Sequence, residues 1–256
     1  MTDHKLIYLH IGTHKTGSTS LQRFLAESRQ HLRRIGTDVY SGKIEPENHL
    51  ELYLAAMRPE RDSFAKQKWA LKVDAEFLRS TIVRVREFIA SSPSRSLIFT
   101  TEGLSLLRHP DEIERLRDML DAPRHDVRVV LVLRNRQDFL QSYERQLLKI
   151  GGRATSSDPQ SAFYVGPDSW LANFEELQQL YRKGFGPDAL SVIDYDAEMR
   201  TSGNVLPAVI QAFGLDPSAF PGLDHYNLNA APTSMKQRLL QKLKQAIASP
   251  NFGGFR

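Results

Sequence analysis

Short apolar runs alternate along this chain with segments whose apolar positions recur at three- and four-residue steps. The short runs predict strands and the stepped segments predict helices, so the alternation predicts an α/β fold on a parallel sheet. Five strands are expected: Lys5 to Ile11, Thr37 to Tyr40, Ser96 to Thr101, Arg128 to Leu133 and Leu190 to Tyr195. Behind the first lies a helical stripe of Leu21, Phe24, Leu25 and Leu32, which Gly36 stops. Between Leu50 and Ser91 the pattern is helical, with Val73, Phe77, Ile82, Val85, Phe88 and Ile89, and Pro93 ends it. The segment Gly151 to Ser169, rich in Gly, Ser, Asp and Pro, is expected to be a loop, and a loop of that length in a compact domain is often functional. Near the C-terminus Leu239, Leu240 and Leu243 mark a basic amphipathic helix, expected to pack with its basic face in solvent.

Composition narrows the classes. At 256 residues with 41% hydrophobic content, the chain can bury a full core as a single domain spanning positions 1–256. The absence of cysteine excludes disulfides and thiolate metal sites. Met1 to Lys5 run straight into the first strand without room for a signal peptide, and no apolar stretch approaches the roughly 18 to 20 residues of a membrane span. A soluble cytoplasmic protein with no integral membrane segment is the expectation. The net charge of +4 and pI near 9.3 suit a polyanionic nucleotide. Basic residues are interspersed with acids, so no nucleic-acid partner is expected.

Two segments carry candidate chemistry. Gly12-Thr13-His14-Lys15-Thr16-Gly17-Ser18-Thr19-Ser20 joins the first strand to a helix. Unpaired amides and the positive dipole end at such a helix start welcome an anion. Gly12 and Gly17 keep the spacing of a nucleotide-triphosphatase loop, but that motif puts lysine directly after the second glycine. Here Ser18 stands there and the lysine is Lys15, which argues against ordinary ATP or GTP chemistry. The second segment runs from the strand Val129 to Leu133 into Arg134, Asn135, Asp138, Ser142 and Tyr143. Asn135 is placed to cap a helix, with Asp138 in its first turn. Ser142, about two turns in, can return toward the strand tip, where an arginine fork and a hydroxyl suit a terminal phosphate monoester.

These residues resemble the sulfotransferases that use 3′-phosphoadenosine 5′-phosphosulfate (PAPS). Lys15-Thr16-Gly17-Ser18-Thr19 matches the family's 5′-phosphosulfate loop, and Arg134, Asn135, Asp138 and Ser142 match its 3′-phosphate segment. Tyr143 falls one place earlier than the loosest pattern has it. The resemblance covers about a fifth of the chain by motif and the rest by order of elements. It implies a P-loop, nucleotide-kinase-like sheet of about five parallel strands flanked by helices. It also implies PAPS as donor cosubstrate, adenosine 3′,5′-bisphosphate as product, and a hydroxyl acceptor. The layout resembles bacterial carbohydrate-type members, which points to a carbohydrate or glycolipid acceptor.

Under that resemblance, Lys15, Thr16, Gly17, Ser18 and Thr19, with backbone amides as far as Ser20, hold the 5′ end of the donor, and Arg134 and Ser142 hold the 3′ end. His14, beside Lys15, is a further candidate that either touches the donor or acceptor or faces solvent. Lys15 is the candidate that stabilises charge on the bridging oxygen. Two residues compete as the base for the acceptor proton. Glu102 follows the third strand. His49 follows the second, where several branches of the family carry a glutamate, and Glu45 and Glu47 are its neighbours. The histidines show no metal-ligand spacing, and no strand after the loop ends in the aspartate that organises magnesium, so no metal is expected. The family's basic C-terminal segment has no clear copy, and Lys236 and Arg238 are weak candidates for its role. An ATP-dependent small-molecule kinase and a non-catalytic nucleotide-binding domain are the alternatives.

Overall fold

The run Leu6-Ile7-Tyr8-Leu9-His10 forms the middle strand of the sheet because both of its faces are covered, which only an apolar strand tolerates. The computed structural model describes residues 4–151 and 156–226. Its strands are β1 (Leu6–His10), β2 (Thr37–Val39), β3 (Ser96–Thr100), β4 (Asp126–Leu133) and β5 (Leu190–Asp194). All pair in parallel, in the spatial order β2-β3-β1-β4-β5. The helices are α1 (Ser18–Glu27), α2 (Arg29–Arg34), α3 (Leu50–Ala56), α4 (Phe64–Lys68) and α5 (Ala75–Ser91). They continue with α6 (Pro110–Met119), α7 (Arg136–Gly151), α8 (Phe174–Phe185), α9 (Tyr195–Thr201) and α10 (Leu206–Ala212).

The strand period divides the apolar residues between two cores. Ile7, Leu9, Leu97, Phe99, Val129 and Leu131 face one, with α3, α5, α6, α7 and α8. Tyr8, Ile98, Val130 and Val132 face the other, with α1, α2 and α10. Phe24 of α1 is buried there against Phe220 and Tyr226, a burial worth about 1.5 to 3 kcal/mol. The helix after β1 therefore lies on one face and the helices after β4 on the other. That arrangement opens a crevice at the carboxyl ends of the two adjacent strands.

The five expected strands are all present, with ends trimmed or extended by one or two residues. The helical stretch from Leu50 to Ser91 is three helices rather than one. Pro59 cannot donate a helical bond and disfavours helical backbone at Arg58, and Met57 is already extended at ψ 145°. The last helix, α5, starts afresh at Asp74, whose carboxylate accepts from the amides of Glu76 and Phe77 at 3.1 and 3.0 Å. The first helical stripe is likewise split at Ser28, and Gly36 follows α2 with φ +83°. The expected loop begins at the end of α7, and part of it, with the C-terminal helix, Lys236 and Arg238, lies outside the described residues.

Glu112 joins the layers behind the crevice. Its fully buried carboxylate accepts from the amides of Arg58 (2.9 Å), Arg108 (2.8 Å) and His109 (3.2 Å), and from the Arg61 guanidinium at 2.7 Å. Burial alone would raise its pKa, but the Arg108 and Arg58 amides and the Arg61 fork outweigh that and hold it below 4.5. A carboxyl depressed in the folded state stabilises above its unfolded pKa, and that stability is lost as pH falls through the folded value. Glu112→Ala should cost about 3 to 5 kcal/mol at pH 7 in denaturant titrations, since it strands Arg61. The gap from the parent protein should narrow as pH drops below about 4.5, and a pH-independent gap would show that the carboxylate charge is not what matters.

Candidate active site

The pairing of β1 with β4 does not stop where the strands end. The Ile11 amide donates to Val130 O at 2.9 Å, and the Thr13 amide and hydroxyl both donate to Val132 O, at 3.1 and 3.0 Å. The loop is thereby tied along β4 to within two residues of Arg134. Inside it, Thr16 Oγ1 donates to Thr13 O at 2.6 Å, closing a tight ring. Lys15 holds φ +67°, a left-handed conformation that a non-glycine residue adopts only under constraint, and its side chain is exposed. Gly17, at φ +88°, precedes α1, whose first bond runs from the Leu21 amide to Gly17 O at 3.1 Å. Earlier amides of that turn belong to the set a helix leaves without an intrahelical acceptor. A Cβ on Gly12 would stand 2.6 Å from Nε2 of the buried His10, so the chain can pass here only as glycine.

The second anchor forms as expected from its spacing. Asn135 Oδ1 accepts from the amides of Gln137 (3.0 Å) and Asp138 (3.4 Å), starting α7 at the tip of β4. Two turns in, Ser142 Oγ accepts from Arg134 Nη1 at 3.1 Å. Two turns of helix thus return a hydroxyl to the guanidinium at the strand end. Tyr143 beside it is buried, stacks on Phe139, and lies against the His14 ring at 5.3 Å between centroids. This contact links the two anchors directly.

Around the loop the charges are mixed. Burial pushes the His14 imidazole below its usual range, with Glu102 opposing and Lys15 reinforcing the shift. Glu102, partly exposed, therefore sits within electrostatic reach of His14, and its Oε2 accepts from Gln22 Nε2 of α1 at 2.8 Å. Among the described residues, His14 Nε2, Ser18 Oγ and Arg134 Nε are buried polar atoms without a hydrogen-bond partner. Orphans of this kind occur in both anchors, and also at Asn48 Oδ1 and His49 Nε2 on the segment after β2. Thr19 is exposed, whereas Thr16, Ser18 and Ser20 are buried.

His49 stands apart from this group. It is fully buried, its Nδ1 accepts from the Thr100 amide at 2.9 Å, and its own amide donates to Thr100 O at 3.1 Å. Tyr40 stands edge-on to the ring at 5.0 Å and Phe99 at 6.3 Å. Burial, reinforced by the nearby Arg29 charge, drops its pKa to about 3. This imidazole clasps the segment after β2 to the end of β3, two residues before Glu102, and its Nε2 is a buried nitrogen without a hydrogen-bond partner. Of the two base candidates, Glu102 is the one the fold brings beside the loop. Glu45 and Glu47 lie on the segment between β2 and His49, with Glu45 paired to Lys68 at 3.1 Å.

Three residues not expected at the site from sequence belong here. Tyr195, just past β5, lies under the Arg134 guanidinium at 5.4 Å. Asp196 approaches Arg134 Nε at 3.7 Å and accepts the Asn135 amide. Both follow a strand end on the ligand side of a parallel sheet, a position that could have flagged them. Gln22 could have been flagged as a polar side chain one turn past Ser18 on the buried side of α1. Among the described residues, no three His, Cys, Asp or Glu side chains gather as a metal cluster, and no helix is long and apolar enough to cross a membrane.

The comparisons with known proteins agree with this geometry at the level of fold. No family model matches the chain, and no curated protein does. Among solved structures, the chain is similar to a sulfotransferase from Alicyclobacillus acidocaldarius, with TM-score 0.55 and 16% identity over 94% of this chain and 91% of that one. A sulfotransferase domain from the curacin biosynthetic pathway aligns at TM-score 0.45 and 10% identity, over 88% of this chain and 78% of that one. The first likeness shows that the chain has a sulfotransferase-like fold, a five-stranded parallel sheet flanked by helices. The second is too distant to add weight.

His49 yields a prediction separate from chemistry. A histidine kept neutral in the fold opposes folding once the unfolded chain can take up a proton. Its contribution is therefore lost as pH falls from 6.5 toward about 3. His49→Ala should destabilise by about 1 to 3 kcal/mol or more at pH 7, since the Thr100 amide loses its acceptor. It should also flatten the acid limb of the stability curve across that window. An unaltered acid limb in urea titrations would show that His49 is not held neutral.

Proposed function

We propose that this chain is a sulfotransferase that moves a sulfuryl group from PAPS to a hydroxyl of a carbohydrate or glycolipid. The single observation that carries the reading is the junction of β1 and β4. A lysine-bearing anion loop and an arginine–serine fork stand side by side on the same sheet edge, tied by the bonds from Ile11 and Thr13 to β4. A doubly phosphorylated nucleotide has two separated anionic ends, and each anchor suits one of them. The sulfotransferase-like fold is consistent with this. The displacement of lysine to position 15 separates the loop from that of ATP-using enzymes.

In this mechanism the acceptor oxygen attacks sulfur in line with the bridging oxygen. A new sulfur–oxygen bond forms, the bond to the 5′-phosphate breaks, and its electron pair leaves on that phosphate as adenosine 3′,5′-bisphosphate. Lys15 meets the charge developing on the bridging oxygen, and the amides at the start of α1 with the Ser18 hydroxyl receive the sulfuryl oxygens. Glu102 takes the acceptor proton. One of its oxygens is held by Gln22, so the other is left for the acceptor.

Calorimetry with adenosine 3′,5′-bisphosphate and with ATP–magnesium tests the donor class. The bisphosphate should bind without metal, and preference for ATP–magnesium would replace this reading with a kinase. Binding without transfer of label from radiolabelled PAPS to any of a panel of sugars and glycolipids would leave a nucleotide-binding domain. Lys15→Ala should lower transfer on the order of 10²-fold or more while changing donor affinity far less. Glu102→Gln should lower turnover on the order of 10²-fold or more, and full activity in that variant would discard Glu102 as the base. Arg134→Ala should weaken the bisphosphate by about 1.5 to 3 kcal/mol, and equal loss with adenosine 5′-phosphate would discard the 3′ anchor.

A further inference from the structure

Arg134 is already spoken for on a second side. Its Nη1 meets Ser142 at 3.1 Å, the Tyr195 ring lies 5.4 Å from its central carbon, and its Nε faces Asp196 Oδ1 at 3.7 Å. That last distance is an ion pair without a hydrogen bond, and Arg134 Nε remains a buried nitrogen with no acceptor. Asp196 is not free to turn away, because its other oxygen accepts the Asn135 amide. A fixed carboxylate thus stands beside the guanidinium that the proposed function gives to the 3′-phosphate. Both side chains are 24% exposed, so solvent weakens the field of the carboxylate without removing it.

A charge of this sign works against the ligand. Part of the attraction of Arg134 is already satisfied by Asp196, and the carboxylate repels an incoming phosphate dianion. For donor capture alone the arrangement is a loss. Its use lies in the product. The 3′-phosphate is common to PAPS and adenosine 3′,5′-bisphosphate and takes no part in bond breaking, so it grips donor, transition state and product alike. Binding that is uniform along a reaction does not lower the chemical barrier, and a grip retained on the product slows its departure.

Resting on the PAPS reading above, we propose that Asp196 is a specificity-determining residue that competes with the 3′-phosphate for Arg134. It sets the affinity for the bisphosphate low enough for the product to leave. The loop around Lys15 is left to distinguish donor from product, because only the donor carries the sulfuryl group.

Asp196→Asn tests this, since an amide oxygen can still accept from the Asn135 amide while the charge is removed. Asp196→Ser is a second uncharged variant, and thermal unfolding without ligand verifies that both are folded. Calorimetry is run with adenosine 3′,5′-bisphosphate and with adenosine 5′-phosphate. The variants should bind the bisphosphate more tightly, on the order of tenfold from Coulomb's law at a partly screened separation of several ångströms. Affinity for the monophosphate should be unchanged. Product inhibition of transfer from PAPS should strengthen by a similar factor. Unchanged or weaker bisphosphate binding in both folded variants overturns the proposal while leaving the donor reading intact. If the parent protein does not prefer bisphosphate to monophosphate, the donor reading fails and this inference fails with it.

Discussion

The pairing of β1 with β4 governs everything that follows in the candidate site. Parallel strands of which one runs three residues past the other would leave their end loops at different heights. Here the bonding continues past β1 through Ile11 and Thr13 onto Val130 and Val132, so the loop is drawn up to the level of Arg134. Because α1 departs to one face and α7 to the other, the two helix starts diverge from a shared crevice. Two helix starts separated in sequence by more than a hundred residues are brought together by these bonds and by the His14–Tyr143 contact.

Constraint inside the crevice is local and steric as much as electrostatic. Lys15 and Gly17 hold positive φ, Gly12 clears the His10 ring, and Thr16 locks back onto Thr13. Such a loop gives up conformational freedom on folding, so little is left to lose when a ligand arrives. Its contact with the second anchor runs through the His14–Tyr143 ring pair, which rests on the core rather than on solvent. Behind the crevice, Glu112 and His49 do structural work with groups that elsewhere carry chemistry. One gathers three amides and an arginine, and the other is held neutral by burial.

The electrostatic balance explains why identical residue types take different roles. Glu102 remains partly exposed within electrostatic reach of His14, whereas Glu112 is enclosed and saturated with donors. Asp138 lies in the first turn of α7, and Asp196, in the first turn of α9 just past β5, instead reaches the guanidinium. Exposure and the number of fixed donors, not side-chain identity, separate a group able to exchange protons from one that holds the fold together.

By itself the sequence determined the alternation of strands and helices, the anion loop with its displaced lysine, and the Arg134–Ser142 fork, because each depends on neighbours within two helical turns. Helix boundaries between Leu50 and Ser91 were less legible, since the apolar steps run past Pro59 and the cap at Asp74 without marking the interruption. The tertiary structure alone decided the strand order and the burial of His49 against the end of β3. It also decided the convergence of Gln22, Tyr195 and Asp196 on the anchors. Those contacts span tens of residues and depend on which face each connection takes, and no local pattern of polar and apolar positions encodes that choice.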